Sequence, residues 1–103
     1  MLIINSVDEI PIRLTAERWL HIIKRHPEMT TEEDKILQTV CSPDTIQEGD
    51  YGTKIAIKHY PRTPLTSKHL AVIYKEVSKE DGFVLTAYFT STPSKRRKII
   101  WKQ

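Results

Sequence analysis

The sequence predicts an α+β domain: two N-terminal helices precede a mainly antiparallel, four-stranded meander and cover one of its faces. Three observations predict it. Helix-period apolar spacing is confined to the chain before Pro43, four β-prone runs fill Thr45 to Thr92, and polar turn segments separate those runs. The 103 residues, 39% of them hydrophobic, suit one core and hence a single domain over 1–103.

Taken in order, Leu2 to Ile4 and Ile10 to Leu14 are short β-prone runs, interrupted by Pro11, and are expected at a sheet edge. Thr15 is a good N-cap for the first helix, with Glu17 in its first turn. That helix runs to Arg25 or His26, because Pro27 disfavours helical geometry in the residue before it. At about 100° per residue, Ala16, Trp19, Ile22, Ile23 and His26 share one face, and Arg18, His21 and Arg25 share the other. The second helix starts in "TTEEDKILQTV", where Thr30 and Glu33 have capping-box spacing, and ends before Pro43.

Strands follow over Thr45 to Glu48, Lys54 to Tyr60, His69 to Ser78 and Phe83 to Thr92. "SKEDG" connects the last two as a hairpin with Gly82 in the left-handed position, and "PRTPLTSK" is a longer polar loop. Alternation places Phe83, Leu85, Ala87 and Phe89, with Ala71, Ile73, Val77, Ile55 and Ile57, beneath the helices. Lys58, Tyr60, Thr86, Tyr88 and Thr90 then belong to the face that the helices leave open.

No apolar run approaches the ~20 residues that a membrane span needs, and MLIINSVDEI lacks the features of a secretory signal. A cytoplasmic protein without membrane association is the expectation. Cys41 is the single cysteine, and the four histidines show no zinc-ligand spacing, so neither metal nor cofactor is expected. P-loop, GxSxG and HExxH motifs are absent. The net charge is +3, with acidic residues crowded at Glu28 to Asp34 and Glu76 to Asp81 and a cationic block at Lys95, Arg96, Arg97 and Lys98. Such a block suits phosphate, and it equally suits a solvated tail.

Cleaving RNA without a metal requires a base for the 2′-hydroxyl, an acid for the leaving oxygen, and donors for the charged transition state. "HIIKRHPEM" supplies His21, Arg25 and His26, with His21 and Arg25 one helical turn apart. Thr86, Tyr88 and Thr90 supply hydroxyls in a row, although Thr and Tyr are also ordinary strand residues. A His/Arg pair at this spacing recurs by chance, and a His before Pro is also a common helix-end residue.

Taken jointly, "LTAERWLHIIKRHPEM", "PDTI", "HLAVIYKEV", "DGFVLTAYFT" and "KRRKIIW" resemble small prokaryotic and phage-type BECR nuclease domains. That superfamily comprises barnase-like, EndoU-like, colicin E5/D-like and RelE-like ribonucleases. The resemblance runs from about Leu14 to Trp101. It implies N-terminal helices on a curved, four-stranded or slightly larger antiparallel sheet, and a metal-independent endoribonuclease, in many members a toxin cleaving tRNA or mRNA. By this resemblance His21, Arg25, His26, Thr86 and Tyr88 form the catalytic set. Thr90, Lys95, Arg96 and Arg97 are expected to contact RNA by the same resemblance, and Arg18 and Lys58 are expected to contact it from the polar side of the first helix and the open face. RNA is the expected partner, with a cognate antitoxin or immunity protein as a second. The competing expectation is a module that kept the fold and lost the chemistry: an RNA-binding domain, or a toxin–antitoxin partner that uses its sheet edge.

Overall fold

The structure, a computed structural model, describes residues 1–63 and 68–103. Among them the chain forms β1 (Leu2–Asn5), β2 (Pro11–Leu14), α1 (Ala16–Arg25), α2 (Glu33–Cys41), β3 (Thr45–Glu48), β4 (Lys54–His59), β5 (His69–Ser78), β6 (Asp81–Thr90) and β7 (Ile99–Lys102). All the strands join one sheet in the order β1-β2-β6-β5-β4-β3-β7.

The domain is therefore α+β with two helices, but the expected four-stranded sheet is wrong. The described residues form seven strands in a mixed sheet, and strands precede the helices. β1 and β2 pair antiparallel, and β2 then joins β6 in parallel through Ile12–Gly82 and Arg13–Phe83. At the other end β7 pairs antiparallel with β3, placing Trp101 opposite Ile46. The runs at Leu2 to Ile4 and Ile10 to Leu14 do form strands, but β2 lies between β1 and β6 and not at the expected edge, and β7, which follows a run of cations, was not anticipated. Part of the predicted "PRTPLTSK" loop, residues 64–67, lies outside the described residues. No helix among the described residues is long and apolar enough to cross a membrane.

α1 forms where its capping chemistry places it. The Thr15 side chain accepts from the Arg18 N–H at 3.2 Å, and Pro27 stops the helix after the His26 N–H bonds the Ile22 carbonyl at 2.7 Å. Ile22 is fully buried, and Trp19 and Ile23 pack against the same core. Burying an Ile contributes about 1.5–3 kcal/mol, so this face anchors the helix. The predicted capping box of α2 does not form. Thr30 ends a 3₁₀ turn over Pro27–Met29 and its hydroxyl donates back to the Pro27 carbonyl at 2.7 Å, so Glu32 takes the N-cap position without a side-chain cap bond.

The facing of the central strands also differs from simple alternation. Ala56, Leu70, Val72, Tyr74, Val84, Ala87 and Phe89 lie in the core beneath the helices, with Ile36 and Val40 of α2. Ile55, Ile57 and Ala71 form a second, smaller cluster with Ile73 and Tyr88 on the open face. β6 contributes Val84 and Ala87 to one core although their parity differs, because Ile73 pairs with Thr86 while Tyr74 pairs with Val84. Leu85 is the extra residue, and this bulge reverses the facing of β6 partway along. Phe83 and Leu85 consequently border the open face, not the core.

Two further expectations fail for packing reasons. Tyr60 is buried in the main core, its hydroxyl 3.0 Å from Thr39 Oγ1 and donating to the Lys35 carbonyl at 3.2 Å. Gly82 is not left-handed. It sits within β6 opposite Ile12 and Glu76, where a Cβ would meet Ile12 Cδ1 at 2.5 Å and the Lys75 carbonyl oxygen at 2.6 Å.

Candidate functional site

β2 reaches only the first part of β6, so the edge of β6 from Thr86 onward has no neighbouring strand among the described residues. α1 follows β2 directly and packs beside β6. Its Ile22 faces the core, while the side carrying His21 and Arg25 reaches past the sheet margin toward the open face. There His21, Arg25, His26, Thr86 and Tyr88 line one open cavity of about 350 Å³. Two imidazoles, a guanidinium and two hydroxyls thus converge from two elements far apart in sequence.

His26 holds the most constrained position. It caps α1, its ring centroid is 5.8 Å from that of Tyr88 with 33° between the planes, and its Nδ1 is 3.6 Å from Glu28 Oε1. The ring at the end of α1 thus contacts β6 across the sheet margin. His21 and Arg25 are exposed, one turn apart on the helix.

Tyr88 also borders a narrower cavity of about 60 Å³, shared with Thr90, Gln47, Ser94 and Arg97. The Thr90 hydroxyl is engaged with the backbone of Thr92, donating to its carbonyl at 3.2 Å and accepting from its N–H at 3.3 Å. The Gln47 amide donates to the Ser94 carbonyl at 2.7 Å and ties the basic segment to the open face. Arg97 folds in from that segment and meets Asp50 through two contacts of 3.1 and 3.2 Å. This hydrogen-bonded pairing lowers the Asp50 carboxyl below its ordinary range and raises Arg97, to which the nearby Tyr88 phenol adds a smaller effect.

The remaining predicted contacts disperse. Lys95 and Arg96 are exposed on the same segment as Arg97. Arg18 is half-buried on α1 and does not line the cavity that holds His21. Lys58 has the parity of Ala56 and lies on the helix-covered side, its ammonium bonded to the Ser42 carbonyl at 2.8 Å and 3.8 Å from Asp44. Its expected place on the open face is thus corrected.

Glu28, Gln47, Asp50 and Ser94 were not anticipated. "HPE" puts a carboxylate two residues after His26, a local signal available in the sequence. Gln47 and Asp50 had none, since their partners lie 47 residues away in the chain. Among the described residues no three His, Cys, Asp or Glu side chains gather to hold a metal ion. Neither a family model, a curated protein nor a solved structure matches the chain.

Proposed function

We propose that the chain is an endoribonuclease that cleaves single-stranded RNA by attack of a 2′-hydroxyl on the adjacent phosphate. The observation that carries this reading is the convergence of His21, His26, Arg25, Thr86 and Tyr88 on one cavity. Those side chains are the parts list for the reaction. One imidazole takes the 2′-hydroxyl proton and the oxygen attacks phosphorus. The other gives a proton to the departing 5′-oxygen, leaving a 2′,3′-cyclic phosphate and a 5′-hydroxyl. Arg25 and the Thr86 and Tyr88 hydroxyls face the phosphoryl oxygens as charge builds on them.

His26 is better held than His21, between the Tyr88 ring and the Glu28 carboxylate, so we assign it the proton transfer that depends most on orientation. The resemblance to BECR nuclease domains supports the same class of reaction, and a toxin role with an antitoxin or immunity protein belongs to that resemblance alone.

Incubating the purified protein with total RNA in EDTA and mapping new ends tests the proposal. Discrete cuts ending in cyclic phosphate, lost in a His21→Ala/His26→Ala double variant, are the expected result. Ends no more abundant than with the double variant would remove the enzyme reading.

A further inference from the structure

We infer that the apolar groove beside Tyr51 is a nucleobase subsite, receiving a base that flanks the phosphate held in the His26 cavity. The inference rests on the ribonuclease reading of that cavity. The groove lies on the open face and measures about 370 Å³, within the range of small-ligand sites. Ile55, Ile73, Phe83 and Leu85 line it, and Lys75 and the Arg97–Asp50 ion pair stand beside them. An apolar slot with an ammonium at its border fits a flat heterocycle carried on an anionic chain.

Its position suits that occupant. Thr86 of the first cavity pairs directly with Ile73 of the groove, and paired strands lie only about 4.8 Å apart. Ile55 and Arg97 border both the groove and the narrow cavity that Tyr88 shares, so the open face offers one continuous path between the two sites.

Tyr51 adds an independent observation. Its backbone is left-handed, with φ at 56°, a conformation that bulky side chains rarely adopt. Its side chain is nevertheless 95% exposed, so the fold gains no burial from it. The turn is held firmly: the Gly49 N–H donates to the Thr53 carbonyl at 2.9 Å, and the Thr53 hydroxyl donates to the Asp50 carbonyl at 2.7 Å. One constrained turn therefore presents an uncovered aromatic ring at the groove and, through Asp50, fixes Arg97 next to it. Exposed aromatic rings beside cations are what single-stranded nucleic acids stack upon.

The test uses the full chain and short single-stranded oligoribonucleotides, each with one base removed at a different position, read by fluorescence anisotropy. Loss of one particular base is expected to weaken binding about 5- to 150-fold, the effect of removing one base–aromatic stack. That penalty should disappear in Tyr51→Gly, which keeps the left-handed backbone and removes the ring, and persist in Tyr51→Phe. Equal affinity for every abasic oligonucleotide overturns the inference, as does a penalty that survives Tyr51→Gly. Cleavage of the same oligonucleotides reports separately on the His26 cavity. Base-dependent binding without cleavage keeps the subsite and removes the enzyme reading, and cleavage without base dependence does the reverse.

Discussion

The rings of His26 and Tyr88 lie 5.8 Å apart, one at the end of the first helix and the other on the sheet's open face. This contact joins two segments that are separate in sequence and decides where the cavity forms. If the cavity cleaves RNA, His26→Ala should slow single-turnover cleavage by about 10²–10⁴. Tyr88→Phe keeps the ring contact and removes only a donor, so it should slow cleavage less and leave the melting temperature unchanged. His21→Ala removes an exposed side chain, and its stability should stay within about 0.5 kcal/mol of wild type. A larger rate loss for His21→Ala than for His26→Ala would exchange their roles.

Salt dependence should separate the cations of the basic segment. Each phosphate contact with single-stranded RNA adds about 0.7 to the slope of log affinity against log salt. Arg97→Ala should lower the slope by that amount and reduce kcat/KM, since Arg97 borders the cavity that Tyr88 shares. Lys95→Ala and Arg96→Ala should lower the slope while leaving kcat unchanged, because both side chains point into solvent. Slopes identical to wild type in all three variants would mark the segment as a bystander.

Acid should weaken the fold in part through Asp8. A hydrogen bond from the Lys54 ammonium holds the Asp8 carboxyl below its ordinary value, against the opposing effect of burial. Because the folded-state value is the lower one, this contribution is present above about pH 4 and lost as pH falls through the folded-state value. Asp8 is 51% exposed, which keeps the contribution small. Urea midpoints of wild type and Asp8→Asn should differ near neutrality and converge at low pH. A constant difference down to acid pH would place the Asp8 effect elsewhere.

Gly82→Ala should be strongly destabilising. The added Cβ would meet the Lys75 carbonyl oxygen at 2.6 Å, and a backbone atom in a paired strand cannot move aside as a side chain can. Overpacking of this kind costs about 1–3 kcal/mol. Thermal denaturation measures it, and an unchanged melting temperature would mean that β5 and β6 separate readily at this point.

The sequence made some of this legible through local chemistry. The Thr15 cap and Pro27 bracket α1 because capping and helix termination act within four residues. The hydroxyl row on β6 has the facing that alternation assigns, since all three residues lie beyond the bulge. Ile55 and Ile57 were misplaced because the sheet carries apolar clusters on both faces, so hydrophobicity alone could not choose between them. The partnership of Arg97 with Asp50, and of Gln47 with Ser94, depends on β3 and β7 lying side by side. No spacing in the chain encodes that adjacency.

The bulge at Leu85 sets which changes of length the chain can survive. Deleting a single residue there would restore uninterrupted alternation along β6. Val84 would then be followed by Thr86, still opposite Ile73, so Thr86, Tyr88 and Thr90 would stay on the open face and Ala87 and Phe89 in the core. Deleting one residue between Thr86 and Thr90 instead would turn the later side chains of the strand to the opposite face, exchanging site and core positions. Across descendants of this chain, a single-residue deletion should be tolerated at Leu85 and not between Thr86 and Thr90.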